Sequence, residues 1–147
     1  MPTSQHLAVR DAVAALLQGD PGLANVRVFE NRDYRLPAEQ AVGIWVFRET
    51  SEPARGAING APIDWTTRLR VVVKARSVPQ AATAEVAADT VATTAYAAVM
   101  ANQQLGGLSS DLEAGPLTWF QEETETNVAV CEMEFTVHHR TSSNTLE

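Results

Sequence analysis

Between residues 3 and 18 the apolar side chains Leu7, Ala8, Val13, Ala14, Leu16 and Leu17 recur at the spacing of one helix face. Thr3 or Ser4 supplies the cap, and Gly19-Asp20-Pro21-Gly22 ends the helix. Residues 26–30 alternate as a short strand, and residues 31–38, closing on Leu36-Pro37-Ala38, read as a loop. Residues 41–47 are apolar on both alternating faces, the pattern of a central strand covered on both sides. Two small helices do not readily cover that much apolar surface, so a neighbouring subunit is expected on one side.

Residues 51–62 hold Pro53, Gly56, Gly60 and Pro62 with Ile58 as the one large aliphatic side chain, and read as a long, mobile hairpin connection that becomes ordered on a partner. Residues 64–76 then alternate cleanly, with Leu69, Val71, Val73 and Ala75 on one face and Arg68, Arg70, Lys74 and Arg76 on the other. Ser77-Val78-Pro79 opens a second helix, whose body over residues 81–101 contains ten alanines and whose stop is Gly106-Gly107. Residues 117–120 and 127–140 read as two further strands joined by the acidic turn 122–125. This order predicts an α+β fold: two helices packed on a largely antiparallel β-sheet with a long β-hairpin. Residues 1–140 make a single domain and residues 141–147 a polar C-terminal tail, in which Leu146-Glu147 looks like a cloning scar and is given no role.

Length and composition agree with one core: 147 residues, 45% hydrophobic and 20% charged. Eleven basic residues against eighteen acidic ones leave a net charge of −7, which argues against direct nucleic-acid binding. The lone Cys131 excludes an internal disulfide and a cysteine-rich zinc site, and no apolar run is long enough to span a membrane.

The search for catalytic chemistry finds no coherent set, and no cofactor or metal is expected. His138 and His139 are adjacent on a strand and point to opposite faces, so they cannot share one ion, and His6 reads as a solvated surface residue. Alternation places Cys131 with Ala129, Met133, Phe135 and Val137 on the apolar face, as a buried, inert thiol. Glu132 and Glu134 fall on the opposite face, where pairing with the basic face of residues 64–76 is simpler than acid–base catalysis. Glycine-rich phosphate loops and nucleophile elbows are missing as well.

Leu36-Pro37-Ala38 before an apolar strand, Glu49 opening a hairpin, the run Thr66-Thr67-Arg68-Leu69-Arg70-Val71-Val72-Val73-Lys74-Ala75-Arg76, the alanine-rich helix with Leu105-Gly106-Gly107-Leu108 after it, and residues 131–140 together resemble a phage tail terminator. The resemblance is to the minor tail protein U group of long-tailed phages and runs over residues 7–140. It implies a structural, non-enzymatic virion protein, made in the host cytoplasm, that forms a homo-oligomeric, hexameric ring. Such a ring docks on the tail-tube protein, halts tube polymerisation and presents the surface that meets a head-completion or connector protein. Two regions carry over: Arg68, Arg70, Lys74 and Arg76 as the candidate subunit or tube contact, and the hairpin of Glu49, Glu52, Arg55, Ile58 and Asn59 as the candidate partner-binding element. The acidic turn 122–125 departs from the pattern. A neck or tail-completion protein of related fold is the alternative, followed by a small α+β enzyme.

Overall fold

A computed structural model of the chain describes residues 3–30, 35–54, 60–77, 83–122, 127–142 and 145–146. The first helix, α1 (Gln5–Gln18), starts where the Ser4 hydroxyl accepts from the Leu7 N–H, and it ends at Gly19. Its inward stripe is His6, Val9, Val13, Ala14 and Leu17. After a 3₁₀ turn the chain forms β1 (Arg27–Phe29), β2 (Val42–Pro53) and β3 (Ile63–Arg76). Helix α2 (Ala84–Met100), capped by the Thr83 hydroxyl, leads into β4 (Asp111–Gln121) and β5 (Val128–Thr141).

These strands make one five-stranded sheet in the order β1-β2-β3-β5-β4. Every pairing is antiparallel except the short β1–β2 pair. Both helices lie on one face, α1 over β1 and β2, and α2 over β3 and β5. There Ile44, Val46, Leu69, Val71, Val73, Cys131, Met133, Phe135 and Val137 meet the helical stripes in the main core. The expected α+β architecture is the observed one.

Because β1 and β2 run parallel, the connection between them must return along the sheet, and its Leu36 crosses the helix-free face. Leu36, Trp45, Phe47, Val72 and Val130 bury one another in a second apolar cluster, and Phe29 stacks on Trp45 at 4.7 Å between centroids. Gly43 makes room for this arrangement, since a Cβ there would sit 2.8 Å from the Trp45 ring. The two-sided apolar character of β2 is thus satisfied within one chain, and the expectation that a neighbouring subunit must cover it is corrected.

Other boundaries also move. The expected hairpin connection 51–62 shrinks, because β2 continues to Pro53 and pairs with Trp65. Helix α2 stops at Met100, and Gly106 and Gly107, both with positive φ, shape a later 3₁₀ turn instead of ending the helix. The strand expected at 117–120 begins at Asp111. The tail is engaged locally: the Gln5 N–H, one of the unpaired donors at the start of α1, donates to the Leu146 carbonyl at 2.7 Å.

Candidate functional site

The four cations proposed as a contact face do project from the helix-free side of β3, yet they differ sharply in environment. Arg70 bridges Glu49 at 3.0 Å and Glu132 at 2.9 Å. Lys74 is 4% exposed, bound to Glu122 at 2.7 Å, with its ammonium 5.6 Å from the Trp45 ring centroid. Arg76 donates to the Leu36 carbonyl at 2.8 Å and so ties the crossover segment to the sheet. Arg68 alone of the four is exposed. Arg70, Lys74 and Arg76 hold the chain's own acids and carbonyls, as long cationic side chains do when apolar neighbours cover their stems.

Of the hairpin residues, Glu49 lies inside β2 and belongs to the Arg70 bridge, and Glu52 is exposed opposite Thr66. Arg55, Ile58 and Asn59 lie outside the described residues, as does the expected ordering of that loop on a partner. In the acidic turn, Glu122 is the described acid and is spent on Lys74.

A polar network that the sequence reading missed plugs the end of the main core. The His6 Nδ1 lies 2.9 Å from the Ser51 hydroxyl, which is 2.7 Å from the Thr67 hydroxyl, and that hydroxyl reaches His139 Nε2 at 2.6 Å. His6 is 6% exposed and edge-on to both Trp65 and His139, contrary to the expected solvated residue. Burial lowers its pKa, helped by the positive charge of Arg48. Burial, then the neighbouring imidazoles of His6 and His138, pulls His139 down to about 4. Neither imidazole has a carboxylate hydrogen-bond partner among the described residues, so the Ser51–His6 contact is a structural hydroxyl network and not an oriented nucleophile pair. The signal was present in the sequence: His6 precedes Val9 and Val13 at helical spacing, and Thr67 and His139 share parity with Leu69 and Val137.

Cys131 is fully buried and its thiol is pushed up to about 11, first by burial and then by Asp89 and Glu132, which agrees with the inert reading. His138 and His139 do face apart, His139 inward and His138 toward Glu113 at 3.7 Å. Asp111, Glu113 and His138 bring ligand atoms within 4.8 Å of one another, but both acids are exposed.

The most unusual surface is the outer strand β4. Leu117, Trp119 and Phe120 are 41%, 51% and 44% exposed. Opposite Met133 and Cys131 in the register, Leu117 and Trp119 face the α2 side, and Phe120, opposite Val130, faces the other. Between Trp119 and the first turns of α2 runs a cavity of about 470 Å³ with Ala88 and Ala129 in its lining. Gly115 and Pro116 lie at an irregularity in the β4–β5 register, and proline lacks the N–H that an added strand would use.

No protein-family model and no curated sequence matches the chain. By structure it is similar to the sheath/tube terminator of an extracellular contractile injection system in its extended state, with a TM-score of 0.62 and 14% identity. That match takes in 99% of this chain and 59% of the terminator, so the chain spans under two thirds of the neighbour's length. It is also similar to a component of a native gene transfer agent virion, with a TM-score of 0.61 and 13% identity over 90% of this chain and 95% of that one. Fold is what these likenesses establish, and it is the fold expected from the resemblance to tail terminators.

Proposed function

We propose that the chain is a structural component of a phage-type tail that caps the tail tube as a hexameric ring, stops its polymerisation and offers the surface on which the head is joined. The observation that carries this reading is the fold match to a sheath/tube terminator over nearly the whole chain. The site chemistry agrees: the buried histidines and the buried thiol are locked in structural contacts, while the exposed apolar surface lies on an outer strand, where subunits meet. No enzymatic turnover is required. Arg68, the exposed cation of β3, is assigned to a subunit or tube contact, and the hairpin carrying Glu52, Arg55, Ile58 and Asn59 to a partner. Its place is the virion tail, reached from the host cytoplasm during assembly.

Deleting this chain from the particle's genome should give tails of uncontrolled length without heads, and supplying the chain in trans should restore normal length. Headless tails of normal length would overturn the terminator assignment and place the chain in the neck.

A further inference from the structure

The sequence divides its charge unevenly. Up to Arg76 there are ten basic and eight acidic residues, whereas from Ser77 onward there is one basic residue, Arg140, against ten acidic ones. The fold turns this into a spatial gradient: the first part supplies α1 and the β1, β2 and β3 side of the sheet, the second supplies α2, β5 and the β4 edge. The acidic margin is also the one that leaves Leu117, Trp119 and Phe120 uncovered, with Glu85 of α2 on the lining of the adjoining cavity. The opposite margin exposes Arg27 on β1, its guanidinium 4.8 Å over the Phe29 ring, and Arg48 on β2.

We propose that the β4 margin is a docking surface for a second copy of this chain, which it meets through that copy's β1–β2 margin. Charge decides between the two ways of pairing copies. A symmetric β4-to-β4 contact would set Glu85, Asp89, Asp111 and Glu113 of one copy against the same acids of the other around the apolar side chains. A β4-to-β1 contact places arginines against that acidic rim and lets Leu117, Trp119 and Phe120 be buried. Pro116 has no backbone N–H and the strand register breaks beside it, so side-chain packing in the α2–β4 cavity, rather than a sheet continued along the whole strand, carries the contact. A contact between two different surfaces repeats from copy to copy and closes when its rotation allows, so the inference rests on the ring proposed above and names the surfaces that build it.

The intact chain, a Leu117→Ser/Trp119→Ser variant and an Arg27→Glu/Arg48→Glu variant are compared by sedimentation velocity over a concentration series. Unchanged melting temperatures verify folding, and Glu85→Lys with Asp89→Lys serves as a second β4-margin variant. The wild-type chain should self-associate, and each margin variant should weaken association by roughly thirtyfold, the effect of losing a central contact residue. A mixture of the Leu117→Ser/Trp119→Ser variant with the arginine variant should stop at a one-to-one dimer, because one intact contact remains. Association of the arginine variant at wild-type strength, or a wild-type chain that is monomeric throughout, overturns the inference. Normal tail length in the genetic test alongside either result would show that the terminator reading stands without this interface.

Discussion

Replacing Glu122 by alanine should take away the carboxylate that sits on the Lys74 ammonium in a nearly closed environment. Lys74 keeps 5% of its side-chain surface and Glu122 keeps 24%, with 2.7 Å between them. Breaking a fully buried pair from one side costs about 3–5 kcal/mol, and the solvent contact at Glu122 brings the expected loss to about 2–3 kcal/mol. For a chain of this size that is a fall in Tm of about 6–12 °C. Lys74→Met/Glu122→Gln removes both charges and keeps a long side chain against Trp45, so the double variant should return to within about 1 kcal/mol of the wild type. The assay is urea denaturation followed by tryptophan fluorescence, with both single variants completing a double-mutant cycle. A Glu122→Ala loss under about 0.5 kcal/mol, or single and double variants that simply add, would refute the claim that this pair is coupled and buried.

Stability should fall on acidification: the folded state holds His139 at about 4 against 6.5 for an ordinary histidine, so the unfolded chain binds more protons across that window. The contribution is complete above about pH 6.5 and lost progressively toward pH 4, and His139→Gln should flatten that part of a denaturation-versus-pH curve. Cys131 should resist a thiol reagent at pH 8 in the native protein and react at once in denaturant, and rapid native labelling would contradict its burial. Arg68→Glu should leave the unfolding free energy within about 0.5 kcal/mol of wild type, as an exposed substitution does, yet reduce tube capping. A large stability loss would assign Arg68 to an intrachain role.

Much of the sheet was legible because β3 and β5 alternate strictly, so the core parity of Leu69, Val71, Val73, Met133 and Phe135 follows from period two. Glu132 facing the basic side of β3 was legible for the same reason, and it pairs with Arg70. Burial of Lys74 was not, because its neighbours on the helix-free face, Trp45 and Val130, come from other strands, and a lone lysine reads as solvated until they are placed. The cover over β2 depends on Leu36, a single leucine in a loop, whose role emerges when β1 and β2 are known to run parallel. The β4 margin was hidden in the same way: residues 117–120 read as an ordinary strand, and strand order alone makes it an edge. The His6 network is legible in the sequence, since residues 6, 9, 13 and 17 form one helical stripe that carries His6 inward with Val9, Val13 and Leu17.

The most direct test of the central claim is to add the purified chain to polymerising tail-tube subunits of the same particle and measure tube lengths by electron microscopy. A terminator gives tubes that stop early as its concentration rises, each with a ring of extra density at one end. Tubes of undiminished length with bare ends would contradict the account.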